Sequence, residues 1–550
     1  MFTFAIFIGI YSYLMFVLGI FGILTKIAII AVTIAWVFIF ILFEKKMLNK
    51  VYKNTKNIHF NGKEFYKNQL YLFVILFVLQ ALVNLIGALG PELAFDALWY
   101  HLTLPKLYLL QHAIYHIPGG LLYYSDMPKL GEMLYIGALA IGNEILVKVI
   151  HFSFGILASI ALYKLSRNFF SSFISFVIIV IFYSNLVVDW ESTTAYIDLI
   201  RTFFEVMALW SFINWVEQHT WKWLLVSALM LGLAITTKVL AIGSLIILCI
   251  LMAFIFIDSK LHTNYRKKDI SLFIMYLLIA LLIPLPWFIF SYIHSGNLFY
   301  PFFTHSYEIN VSSSNPLQFI TTIWDIFTHS SDPVSPLYLI FMPLLFITFS
   351  KFQRTIKMIV WYCGLSLFIW YFTPQTGGGR FILPYLPAFS LVCGTVLHVF
   401  NKNKTKFGKY IYQLLIVVII FVSLISICYR FVANSKYIPV LIGQESKSQF
   451  LNIHLNYSYG DFYDTDNYFA KHIKPTDTVL LYGFHNLYYV DFPFIDSSWV
   501  KKRDSFTYVI LHRTPLPTNF RHWQLLYVND KTMVQLYGPP KGTCTETCHY

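Results

Sequence analysis

The stretch QLYLFVILFVLQALVNLIGA, residues 69–88, decides the fold. It has no charged residue and is long enough, at 1.5 Å per residue, to reach about 30 Å across hydrocarbon as a helix. Its flanks are unlike each other. Before it, residues 44–68 carry Lys45, Lys46, Lys50, Lys53, Lys56, Lys63 and Lys67. After it come Pro91, Glu92, Phe95, Asp96, Trp99, Tyr100 and His101. A basic entry and an acidic, aromatic exit describe a membrane-spanning helix with a defined direction.

The pattern repeats. The 550-residue chain is 57% hydrophobic and 12% charged, against about 25% charged in an ordinary soluble domain. About thirteen apolar runs read as spans. They cover 3–22, 25–43, 69–88, 145–164, 171–188, 195–215, 223–238, 239–257, 270–290, 336–350, 358–372, 381–399 and 410–430. With a cytoplasmic N-terminus, the loops on that side are 44–68, those around Lys164, Arg167 and Lys222, and 258–269, 351–357 and 400–409. These loops gather about half of the lysines and arginines, as the positive-inside rule requires. The expected architecture is an all-α polytopic membrane protein in the plasma (inner) membrane. Loops 89–144 and 291–335, and everything beyond 430, then lie outside the cytoplasm.

The tail changes character. Thr478–Tyr482 and Phe506–Leu511 read as buried strands, and Trp523–Val528 with Thr532–Tyr537 as a hairpin around Asn529 and Asp530. This predicts a small α/β domain. The expected division is 1–68 as an N-terminal hairpin with a basic loop, 69–430 as the membrane domain, and 431–550 as an extracytoplasmic domain. The apolar N-terminus lacks a basic n-region and reads as a retained helix. Cys249, Cys363, Cys393 and Cys428 fall in or beside apolar runs, where cysteine is a small hydrophobe. Cys544 and Cys548 are a candidate tail disulfide. The net charge of +13 comes from loop lysines and forms no basic stripe with interleaved aromatics, so nucleic acid is not an expected partner.

Charged residues at the outer ends of the spans are the candidates for chemistry. Asp96 stands just past the third span, where partial desolvation suits a carboxylate to proton abstraction; a helix N-cap is the plainer reading. Asp198 lies inside the sixth span, with Arg201 and Glu205 on the same face. A charge there is functional by default, or else satisfied by an internal Asp198–Arg201 pair. Lys238 and Arg380, the latter after Gly377, Gly378 and Gly379, would meet a lipid-linked phosphate or snorkel to head groups. His101, His112, His116, Glu132, His294 and His305 share that side without a zinc-protease spacing. Nucleotide-binding glycine loops and GxSxG are absent.

Several of these stretches, in order, resemble the polytopic glycosyltransferases of the C-type fold that use polyprenyl-phosphate sugars, a group including protein O-mannosyltransferases and lipid A aminoarabinose transferases. Residues 95–106, FDALWYHLTLPK, are similar to that family's acidic first outer loop. Tyr124 to Pro128 and Glu132 to Tyr135 are similar to its continuation. Ala195-Tyr196-Ile197-Asp198 resembles the second acidic position, and Gly232 to Lys238 the segment that follows. Pro286-Trp287, Gly296-Asn297 and Tyr300 to Phe303 resemble a stretch of bacterial members, and Arg380 to Pro384 the late Arg-aromatic-Leu-Pro motif. Two features depart from the pattern: a single Asp96 replaces an adjacent acidic pair, and two extra spans precede the usual first helix.

The resemblance implies a glycosyltransferase. Asp96 would be the general base and transfer would invert the anomeric centre. Glu132, Asp198, Lys238, Arg380, His101 and Tyr100 would bind substrate. The donor would be a polyprenyl-phosphate sugar and the acceptor a lipid, glycan or protein. A divalent metal is compatible with this chemistry but not required by the sequence. The competing expectation is a transporter or flippase for a lipid-linked or small substrate, which would place its polar residues near the bilayer midplane; a non-catalytic scaffold is a third.

Overall fold

The structure, a computed structural model, describes the chain except residues 56–69, 258–265, 305–315, 330–333, 374, 456–463, 503, 541–547 and 550. His305, Lys260, the lysines at 56, 63 and 67, and the Cys544–Cys548 pairing lie outside the described residues.

Helices form at every expected apolar run. The backbone must satisfy its own polar groups where water is excluded, and a helix does so within one segment. Among the described residues, eight helices are long and apolar enough to cross a membrane. They become nine when the pair Ile270–Leu282 and Leu285–Ser295, bent by 57°, counts as one. The other expected spans are shorter helices, such as Ser172–Tyr183, Trp221–Thr237 and Leu337–Thr348. The sequence expectation of a break near Lys238 holds: Lys238 is extended (φ −153°, ψ 121°) between the helix Trp221–Thr237 and the turn Val239–Ala241.

Helix Asp198–Gln218 is the centre of the bundle. Its apolar window is 89% buried, against 6% for Lys26–Lys45 at the periphery. It packs on Glu144–Ser166 and Trp221–Thr237. Ionisable groups on such a helix cannot reach water, so each needs a partner in the protein.

Buried polar groups brace the site-bearing end. Lys148 donates to the carbonyls of Gly87 (2.9 Å), Gly90 (2.7 Å) and Pro91 (3.1 Å). Glu92 accepts from the amides of Leu93 (2.8 Å), Ala94 (2.7 Å) and Ala195 (2.5 Å). His151 bridges the carbonyls of Glu191 (3.0 Å) and Thr194 (2.9 Å) to the amide of Leu199 (3.1 Å). The two loops that carry Asp96 and Asp198 are thereby fixed to one another.

The tail forms a five-stranded mixed sheet in the order β2-β1-β4-β6-β5. The strands are β1 (Val479–Tyr482), β2 (Phe494–Asp496), β4 (Tyr508–His512), β5 (Gln524–Asn529) and β6 (Val534–Gly538); a short β3 (Ser505–Phe506) pairs with β7 (Cys548–His549). β1 runs parallel to β2 and β4, and β6 is antiparallel to β4 and β5. The expected hairpin forms, and the Asn529 side chain accepts from the amides of Lys531 and Thr532 to close its turn.

Candidate active site

Asp96 opens the short helical turn Ala97–His101 without capping it through its side chain. The carboxylate points instead to Arg380, with Oδ2 2.7 Å from Nη1. The Tyr100 hydroxyl approaches the same oxygen at 3.5 Å, and the Asp96 amide donates to the Tyr196 hydroxyl at 3.1 Å. The N-cap reading of Asp96 therefore does not describe this side chain, which faces the Arg380 cation.

Arg380 is delivered by the glycine run. Gly378 adopts φ 50°, ψ −133°, a conformation that L side chains avoid. The guanidinium carbon lies 4.8 Å from the centre of the Tyr196 ring and 5.3 Å from that of Phe381. Burial pushes the Tyr100 phenol far above the ordinary range, so it remains neutral.

Asp198 does not pair with Arg201. Lys238, from the extended break between helices, lies 2.7 Å from Asp198 Oδ1. Arg201 turns to Glu205, Nε to Oε1 2.5 Å, and Ser244 donates to the other Glu205 oxygen. The Arg201–Glu205 pair is buried in the bundle core. Lys238 also lies 4.9 Å from the Phe381 ring, so Lys238 and Arg380 flank one aromatic side chain.

Glu132 Oε1 accepts from His101 Nδ1 at 2.7 Å, and the His101 ring lies 5.6 Å from Tyr196. Tyr100 stacks on Tyr124 at 3.8 Å. Asp96, Tyr100, His101, Glu132, Asp198, Lys238 and Arg380 thus form one continuous cluster around Tyr196. Asp198 is fully buried and Glu132 nearly so, whereas the side chains of Asp96, Lys238 and Arg380 keep 13–16% exposure. Asp198 Oδ2 and Glu132 Oε2 make no hydrogen bond among the described residues. Buried acceptors left open in this way suit hydroxyl groups of a bound molecule.

His112, His116 and His294 sit elsewhere. His112 Nδ1 faces the Leu24 carbonyl (3.3 Å), and His116 pairs with Asp126 (2.8 Å) and stacks on His294. Among the described residues no group of three or more His, Cys, Asp and Glu is arranged to hold a metal ion.

Two contributions were not expected from the sequence. Tyr196 is the hub of the cluster, although its motif drew attention only for Asp198. The tail also reaches the site: His485 lies 5.7 Å from both Phe95 and Trp99, the neighbours of Asp96. Lys106 donates to the carbonyls of Tyr488 (2.8 Å) and Val490 (2.6 Å), and Tyr489 donates to the Glu92 carbonyl (3.1 Å). No local pattern marks 484–490 as a docking loop; its aromatics read equally well as domain core.

The segment 134–290 matches the family described as dolichyl-phosphate-mannose-protein mannosyltransferase. No curated protein matches the chain. Among solved structures, ArnT from Cupriavidus metallidurans bound to undecaprenyl phosphate is similar, with a TM-score of 0.56 and 11% identity over 85% of this chain and 98% of that one. Its apo state gives a TM-score of 0.55 and 12% identity over 86% and 98%. The chain therefore carries a mannosyltransferase-family segment within a polytopic helical fold similar to that of ArnT.

Proposed function

We propose that the protein transfers a sugar from a polyprenyl-phosphate donor to an acceptor on the extracytoplasmic face, with inversion and with Asp96 as general base. The observation that carries this reading is the alternation of Asp96, Arg380, Asp198 and Lys238 around Tyr196. Two carboxylates and two cations balance in the cluster. A lipid phosphate entering beside Arg380 and Lys238 draws on the cations, and Arg380 turns from Asp96 toward the phosphate. Asp96 is then open to the acceptor.

The acceptor oxygen forms its bond to the anomeric carbon as the bond from that carbon to the phosphate oxygen breaks. The acceptor proton passes to Asp96. The electron pair leaves on the polyprenyl phosphate, whose charge Arg380 and Lys238 stabilise. Asp198 Oδ2 and Glu132 Oε2 accept from sugar hydroxyls, and Tyr100 and His101 line the acceptor side. The undecaprenyl phosphate bound by the similar ArnT structure supports a lipid-phosphate donor. The charge alternation of the loops supports a cytoplasmic N-terminus, a multi-pass chain in the plasma membrane, and a tail domain from residue 431 outside it. The clustered charges sit at helix ends and in loops, unlike the midplane sites of transporters.

Asp96→Asn tests the base. Transfer from a polyprenyl-phosphate sugar by membranes containing the variant should fall on the order of 10²- to 10⁴-fold, with insertion and detergent solubility unchanged. Transfer at the wild-type rate removes Asp96 from the mechanism.

A further inference from the structure

The helices that lead to and from Arg380 also build a second site at their other ends. Arg354–Tyr371 and Leu386–Lys402 each rise about 25–27 Å, so their far ends lie across the bilayer from the charged cluster. There a cavity of about 390 Å³ opens among Phe170, Lys351, Phe352, His398, Lys402 and Lys404, and no Asp or Glu lines it. Phe170 and Phe352 are buried and form its floor, and Phe170 meets the His398 ring at 5.3 Å. The wall turn is held by Arg167 donating to the Phe170 carbonyl at 2.5 Å. The three lysines are exposed at the rim and form no ion pair among the described residues.

Like charges gathered on one rim repel unless an anion is shared among them. The N-terminus of Arg354–Tyr371, where the Gln353 side chain makes no capping hydrogen bond, adds partial positive charge. The last carbonyls of Leu386–Lys402 oppose it, and Lys402 in that turn offsets them. A basic pocket between helices on the lysine-rich side of a membrane protein is suited to an acidic head group, and the aromatic floor suits the apolar atoms next to it.

We propose that this cavity binds the phosphate of an anionic phospholipid in the leaflet opposite the charged cluster. Lys351, Lys402 and Lys404 contact the phosphate, and Phe170 and Phe352 contact the glycerol and first methylenes. The assignment is independent of the sugar-transfer reading. The test uses the full chain purified in neutral detergent, with thermal unfolding followed after adding phosphatidylglycerol, phosphatidylcholine or inorganic phosphate. Phosphatidylglycerol should raise Tm, phosphatidylcholine should not, and the rise should shrink with added salt. The triple variant K351Q/K402Q/K404Q should lose the rise, and K351R/K402R/K404R should keep it, which separates lost charge from a general folding defect. An equal rise in the glutamine variant, or none in the wild type, overturns the site. Inorganic phosphate acting as strongly as phosphatidylglycerol overturns the lipid assignment.

Discussion

At the residue scale, the decisive exchange is that of ion partners. The three-residue spacing of Asp198 and Arg201 made an internal pair reasonable on one helix. The four-residue spacing gave Arg201 to Glu205 instead, and that freed Asp198 for Lys238 from a neighbouring helix end. Removing Lys238 leaves a fully buried carboxylate without its cation. Lys238→Met should therefore destabilise the protein by about 3–5 kcal/mol, read from denaturant unfolding in detergent. The double variant D198N/K238M should recover most of that loss, because no charge is left unpaired, while transfer stays low. A single variant as stable as the wild type would show that the pair contributes nothing. The candidate acids and cations were legible as charges beside apolar runs, since such groups are costly there. Their pairing was not, because partners came from separate helices.

At the element scale, the approach of helix Leu130–Ile141 to the Ala195–Asp198 segment depends on Gly131. A Cβ there would stand 2.4 Å from Ile197 Cγ2 and 3.3 Å from Ile200 Cδ1. Gly131→Ala should displace Tyr196 and Asp198, costing about 1–3 kcal/mol and lowering transfer by more than its effect on stability explains. Gly364 lies mid-helix with nothing within 4 Å of its Cβ position. Gly364→Ala should be stabilising by about 0.5–1 kcal/mol, with transfer unchanged. Measuring activity and unfolding for both variants separates close packing from helix propensity; equal behaviour would refute the packing argument. The helices themselves were readable from apolar runs, but several came out too short to cross alone. Their ends are set by turns such as Lys238 and by packing on neighbours.

At the scale of the whole molecule, the tail sheet is fastened to the first loop through Lys106, whose donations to Tyr488 and Val490 place the loop after β1 over the Asp96 segment. Burial pulls the Lys106 ammonium down to about 8, below the ordinary lysine value near ~10.4. Between those values the unfolded chain binds more protons than the folded one, so this group adds stability as pH rises. The Tm of the wild type minus that of Lys106→Met should grow from pH 7.5 to pH 9.5; a difference that falls over that range would refute the burial of this amine. The sequence by itself determined the helical membrane architecture and the strands of the tail. Each follows from a local requirement: a segment in hydrocarbon must satisfy its own backbone, and a short apolar run bounded by turn residues reads as a buried strand. Only the tertiary structure decided which charges meet, that Tyr196 is their hub, and that the tail leans on the site. Those contacts join residues far apart along the chain, and their energies depend on distances through space that no local pattern encodes.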